Sequence, residues 1–200
     1  MIKAIIFDSG GVVINQDRLL NRFMQIFKSK DKEKFLVELN LRVIPLCKNE
    51  LSESKFWTQF AKGVGISPSR IQQDLWTKAF EKLTKINKGI IKIIKTLKPN
   101  YKLALISNSI KSHAKINRKR GIYDLFDVVV LSHEVGLTKD SKKIFLLAAN
   151  KLKVIPKECI FIDDIKEFVD VAESAGMNGI VFKNEEQLKA NLKRIIKHEM

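Results

Sequence analysis

Two hundred residues are enough chain for one substantial core with a small elaboration, and too few for two full α/β domains. An apolar share of 45% and a charged share of 30% suit a globular protein in water, and no run approaches the roughly 20 apolar residues of a membrane span. The formal net charge of +15 favours anionic ligands, but no recognisable nucleic-acid motif accompanies it, which disfavours a nucleic-acid partner.

The chain opens with "IKAIIF" at residues 2 to 7, a short run rich in β-branched residues that reads as a buried strand. Asp8 interrupts it before a signal-peptide core can form, and Gly10 and Gly11 follow. Cys47 and Cys159 stand alone and form no metal-ligand pair. Two scattered cysteines suit a reducing compartment, so a cytoplasmic location is expected. The composition leaves the oligomeric state open.

After Asn15 the spacing becomes helical, with Leu19, Leu20, Phe23, Ile26 and Phe27 three and four apart, and it stays helical to about residue 98. Breaks are expected at "SKDKE", at Pro45 and at "GVGISPS", where Ser67 reads as an N-cap and Pro68 as a first helical residue. Ser52 reads as another N-cap, with Gly63 as the stop of that helix. Trp57 and Trp76 are assigned to the core of this helical stretch. Lys85, Lys88, Lys92 and Lys95 alternate with Ile86, Ile90, Ile91, Ile94 and Leu97 as the solvated stripe of an amphipathic helix. That stripe supplies much of a stretch from Lys82 to Arg120 holding twelve basic residues and no acid.

Beyond Pro99 strands and helices alternate. "YKLALIS", "FDVVVLS", "CIFIDD" and "NGIVF" read as strands, and helices start near Lys111, in "SKKIFLLAANKL" and in "KEFVDVAESAG", followed by a basic C-terminal helix. Such alternation implies a Rossmann-like α/β fold, a parallel sheet flanked by helices on both faces. Residues 1–15 and 84–200 are expected to form this core, and residues 16–83 a small inserted helical cap.

An open parallel sheet binds ligands beyond the carboxyl ends of its strands. At those ends stand Asp8, then Ser107 with Asn108, then Lys139, then Asp163 with Asp164. Carboxylates left together repel one another, and two or three hard oxygen ligands suit Mg²⁺; a lysine with a hydroxyl suits phosphate. Duller readings stand beside these. Ser107 and Asn108 also fit a cap for the next helix, and Lys139 sits among Lys142 and Lys143 as one of several basic residues. Trailing four apolar residues, Asp163 and Asp164 are hard to explain structurally.

The motifs resemble the haloacid dehalogenase superfamily, with subfamily I and a helical C1-type cap. "FDSGGVV" is similar to its first motif, "LISNS" to its second, and "EVGLTKDSKKIF" aligns without a gap to the pattern EVGLRKPDPEIF around its lysine. "ECIFIDDIKEFVDVAESAGMNGI" is similar to the fourth motif and its helix, and "ELSESKFWTQFAKGVGI" to cap sequence of the same group. The resemblance covers nearly the whole chain. It implies a Mg²⁺-dependent phosphatase of a small phosphorylated metabolite, a sugar phosphate among the options. Asp8 would be the nucleophile and Lys139 the balancing cation. Ser107 and Asn108 would hold the phosphoryl group, and Asp8, the carbonyl of Gly10, Asp163 and Asp164 the metal.

Two departures qualify the resemblance. Most phosphatases of the family have a general acid two residues after the nucleophile, where this chain has Gly10. The branch resembling α-D-glucose-1-phosphate phosphatases shares that glycine. Without the acid, leaving groups stable as anions are favoured, namely anomeric sugar, acyl or aryl phosphates; Asp17 and His113 are candidate substitutes. The second departure is "KDSK" at residues 139 to 142, where the loss of two prolines is expected to loosen the loop that aims Lys139. Carbon–halogen hydrolysis and a binding protein without turnover are the competing readings.

Overall fold

The computed structural model describes residues 1–27, 31–67 and 74–197, without the side chains of Asp17 and Lys197. Pro68, read above as a helix start, lies outside the described residues.

Strand β1 (Ala4–Asp8) is fully buried and central in a five-stranded sheet with β4 (Lys102–Ser107), β5 (Val128–Leu131), β6 (Cys159–Asp163) and β7 (Asn178–Val181), in the order β5-β4-β1-β6-β7. Every pairing is parallel, with Asp8 opposite Ile106 on one side and Phe7 opposite Ile162 on the other. The alternation of side chains along a strand divides β1 between two cores. Ile5 and Phe7 join the larger one, and Ala4 and Ile6 pack with Ile144, Phe145 and Phe161 in the other. Both faces are dry, which is why the strand reads as an unbroken apolar run.

Past Asp8 the chain turns tightly, with Ile14 N–H donating to the Ser9 carbonyl and Gly11 N–H to the Ile14 carbonyl, both at 2.7 Å. It then forms β2 (Ile14–Asn15), which pairs antiparallel with β3 (Lys85–Ile86). Helices α1 (Asp17–Ile26), α2 (Lys32–Cys47), α3 (Glu53–Gly63) and α4 (Leu75–Leu83) lie between the two halves of this ribbon. They close on a knot of aromatic rings. Trp57 lies within 5.7 Å of Phe23, Phe27, Phe56 and Trp76, so both tryptophans are core residues of this layer.

Some details depart from the sequence reading. Pro45 does not break a helix; α2 runs through it and ends two residues later. A proline removes one backbone hydrogen bond, and Leu41, whose carbonyl would have received it, is exposed to water. Lys85 and Ile86 belong to β3 rather than to the amphipathic helix, α5 (Lys88–Leu97), whose N-cap Asn87 accepts from the N–H groups of Gly89 and Ile90. Gly63 ends α3 as expected, and Ser52 caps its start, but the left-handed residue lies further on, at Gly65. The remaining helices are α6 (Lys111–Lys119), α7 (Ser132–Val135), α8 (Lys142–Leu152), α9 (Lys166–Ser174) and α10 (Glu185–Lys197). Among the described residues, no helix is long and apolar enough to cross a membrane.

Candidate active site

Asp8, Ser107 and Asp163 end β1, β4 and β6, so parallel pairing brings all three to one edge of the sheet. Lys139 reaches them from the loop before α8. Its Nζ donates to Asp8 Oδ1 at 2.7 Å and to Asp163 Oδ2 at 2.6 Å, and it sits 4.5 Å from the centre of the Phe168 ring. Asp8, Lys139 and Asp163 are all buried. Asp164 is exposed, yet it offers an oxygen that lies with one each from Asp8 and Asp163 inside a group spanning 4.8 Å.

Charge is the organising quantity here. Burial raises Asp8 to about 7; Lys139 opposes that rise, and the neighbouring Asp163 and Asp164 add to it. Burial by itself pulls Lys139 down, but Asp8 and Asp163 outweigh it and hold the ammonium above its ordinary range. Asp164, exposed on one side, is likewise raised, first by partial desolvation where it packs beside the cluster and then by Asp163. One lysine therefore does not neutralise three crowded carboxylates. A hard dication suits such a donor set, and the backbone makes room for it: a Cβ on Gly11 would come within 2.2 Å of the Asp164 carboxylate. Gly11 has φ +93°, a conformation other residues resist. The positions of Asp8, Asp163 and Asp164 thus fit a magnesium ion. Gly10 lines the same cavity as Asp8.

The lysine loop is not loose. Lys139 N–H donates to Asn108 Oδ1 at 2.9 Å, the Thr138 hydroxyl donates to Asp140, and Ser141 N–H returns to the Thr138 carbonyl at 3.0 Å. Hydrogen bonds replace the stiffness that two prolines would give. Asn108 is thereby a brace for Lys139 as well as a lining residue, and neither it nor Ser107 caps α6, whose N-cap is Ile110. Ser109, unremarked in the sequence, is itself fastened: its N–H donates to Ser132 Oγ at 2.9 Å, and its Oγ lies 3.1 Å from His133 Nδ1.

Two features settle what surrounds Gly10. Its φ lies outside the left-handed range that marks Gly11, and the atoms nearest to a Cβ there would be the end of the Gln16 side chain, at 2.7 to 2.9 Å. Gln16 occupies the space above the glycine. His113, the described candidate for a substitute acid, stacks on Phe80 with centroids 3.8 Å apart, and its Nε2 is buried without a hydrogen-bond partner. Burial, then Arg120, lowers it to about 3, so near neutral pH it has no imidazolium proton to give. The Asp17 side chain lies outside the described residues.

Asp8, Ser9, Gly10, Ser107, Asn108 and Lys139 line a cavity of about 130 Å³. A second, of about 260 Å³, adjoins it, with Gln16, Asn108, Ser109 and His113 lining both.

A Rossmann-type parallel sheet with an acidic cluster and a buried lysine at its carboxyl edge narrows the class of protein. The model of the haloacid dehalogenase-like hydrolases matches residues 2–176, and the chain belongs to that family of hydrolases. It is 26% identical over 190 residues to the phosphorylated carbohydrates phosphatase of Thermotoga maritima, covering 90% of this chain and 84% of the relative. In fold it is similar to a family enzyme of Bacteroides thetaiotaomicron solved with magnesium and inorganic phosphate, with TM-score 0.73, 24% identity and coverage of 92% and 95% of the two chains. A predicted family hydrolase of Porphyromonas gingivalis gives TM-score 0.74 at 24% identity, with 98% of each chain covered.

Proposed function

We propose that this hydrolase is a Mg²⁺-dependent phosphatase of a small phosphorylated metabolite. The carrying observation is the clasp of Lys139 between Asp8 and Asp163, with an Asp164 oxygen inside the same 4.8 Å group. The name of the Thermotoga relative and the magnesium and phosphate bound in the Bacteroides structure support the reading. Residues 16–83 act as the cap, covering the cavity and keeping water from the reacting groups.

In this reading Asp8 attacks phosphorus along the axis of the leaving oxygen and forms an aspartyl-phosphate, which water then hydrolyses. A phosphate dianion and a carboxylate repel, so the barrier is chiefly one of charge and alignment. The Lys139 ammonium, held by Asp163 and braced by Asn108, lies where the two anions approach. Ser107 donates its hydroxyl to a phosphoryl oxygen. Magnesium, held by Asp8, the Gly10 carbonyl, Asp163 and Asp164, would supply Lewis-acid neutralisation of phosphoryl charge.

The test is phosphate release from a panel of phosphomonoesters with magnesium, with EDTA, and with Asp8→Asn. Release that EDTA stops and the variant lacks is expected, since the amide keeps the shape and loses the nucleophilic oxygen. Near-wild-type release by Asp8→Asn would remove Asp8 from the role. Halide release from a 2-haloacid without magnesium would replace the phosphatase by a dehalogenase.

A further inference from the structure

The two adjoining cavities differ in chemistry, and the difference bears on the leaving group. The inner one holds Asp8 and Lys139. The outer one is walled by Leu19, Leu20 and Phe23 of α1, Leu39 and Val43 of α2, and Trp76 of α4. Polar side chains gather at the neck, where Gln16, Asn108, Ser109 and His113 line both. None of the described residues lining the outer cavity is Lys, Arg, Asp or Glu. A phosphate seated at Asp8 therefore points its ester oxygen toward the neck and its organic part among apolar walls.

Two constraints act on that organic part. With glycine at position 10 and no imidazolium at His113, neither position offers the departing oxygen a proton, which favours a leaving group stable as an anion. Beyond the neck and Trp76 Nε1, which like His113 Nε2 is buried without a hydrogen-bond partner, the walls are apolar, and each hydroxyl buried unpaired against them costs roughly 1–3 kcal/mol. An anomeric sugar phosphate meets the first constraint and the second only in part, since its ring carries more hydroxyls than those two nitrogens pair. A long alkyl phosphate meets the second and fails the first. A phosphate on an aromatic ring meets both, because a phenol ionises near pH 10 and a ring buries well beside Phe23 and Trp76, already edge to face at 5.7 Å. Space is sufficient: an apolar cavity of about 150 Å³ accommodates benzene, and the outer one is about 260 Å³.

We infer that the substrate is an aryl phosphate, a monoester of a phenol-type hydroxyl, with its ring in the outer cavity. This rests on the phosphatase reading and narrows it. The bond between phosphorus and the aryl oxygen breaks as that between phosphorus and Asp8 forms, and the phenolate keeps the electron pair. Water then cleaves the aspartyl-phosphate; its hydrogens pass to the phosphate and, through solvent, to the phenolate, so the products are a phenol and inorganic phosphate.

The experiment measures kcat/KM with magnesium for phenyl phosphate, glucose 1-phosphate, hexyl phosphate and acetyl phosphate, on the wild type and on Val43→Asn. Acetyl phosphate has a good leaving group too small to fill the outer cavity, so it reports the phosphoryl chemistry alone. Phenyl phosphate should exceed glucose 1-phosphate and hexyl phosphate at least tenfold, and Val43→Asn should lower the ratio of phenyl to acetyl phosphate turnover about fivefold to tenfold. Because the readout is a ratio, partial loss of folded protein cancels. If acetyl phosphate is hydrolysed while phenyl phosphate is no better than the sugar or alkyl ester, the aryl assignment is overturned and the phosphatase stands. No release from any of the four overturns both.

Discussion

Asp163 and Asp164 are adjacent in the chain and answer to different partners in space. Asp163 is fully buried; one of its oxygens takes Lys139 and the other accepts the Ile165 N–H at 2.9 Å. Asp164 is exposed and rests against Gly11. Asp163→Asn should cost about 3 kcal/mol, as it strips one partner from a buried ion. Asp164→Asn should change stability by less than about 0.5 kcal/mol, because it relieves crowding among like charges. Both should weaken the response to magnesium, and urea midpoints with and without the ion read both effects. Equal destabilisation by the two variants would refute the division of labour. Gly10 invites the complementary experiment. Its backbone is open to an L-residue, and the nearest obstacle is the end of the flexible Gln16 side chain. Gly10→Asp should therefore fold and restore a proton donor, raising kcat/KM for hexyl phosphate about tenfold or more while leaving acetyl phosphate nearly unchanged. A uniform change across the two substrates would mean that protonation was never limiting.

At the scale of elements, α4 is joined to α6 by the stack of Phe80 on His113 and by the polar contacts of one side chain at the end of α6. Arg120 Nη1 donates to Thr84 Oγ1 at 2.8 Å and Nη2 to the Glu81 carbonyl at 2.9 Å, with the guanidinium over Phe80. Arg120→Ala should lower stability by about 2 kcal/mol, and Arg120→Lys should recover little of it, since an ammonium lacks the flat fork. Full rescue by lysine in urea unfolding would show that charge alone mattered. This fastening was invisible in the sequence, where Arg120 is the last of a basic run and Thr84 an unremarked threonine. The main strands were legible because both faces of the sheet are buried and apolar runs follow. Ribbon β2–β3 was not, as two residues a side carry no period, and Lys85 with Ile86 fitted a helical stripe equally well. Pro45 misled for a related reason. A proline so close to a helix end gives up one bond, and its sequence does not say that water can take it over. Of the site, the charged residues were legible from their places after strands; the braces, Asn108 on Lys139 and Ser132 on Ser109, needed the coordinates.

For the molecule as a whole, His113 ties stability to acidity. An unfolded histidine takes a proton near pH 6.5, whereas the folded one, buried against Phe80 and near Arg120, does so only at about 3. Above pH 6.5 neither state is protonated and the contribution is complete. Below it the unfolded state gains the proton first, so stability falls with pH by up to about 1.4 kcal/mol per unit. His113→Gln should flatten the fall between pH 6.5 and 4.5 relative to the wild type in denaturant titrations; parallel curves would place the acid sensitivity in other groups. The ribbon has a consequence of another kind. Asn15 and Lys85 face each other in register, so the stretch that contributes Leu19, Phe23, Val43 and Trp76 to the outer cavity departs from the sheet layer and rejoins it at neighbouring points. To the sheet it is a detour with no net displacement. A replacement of the detour between those two points would keep the strands that carry Asp8 and Asp163 unbroken, so the walls of the outer cavity and the charged edge of the sheet are separable parts of one chain.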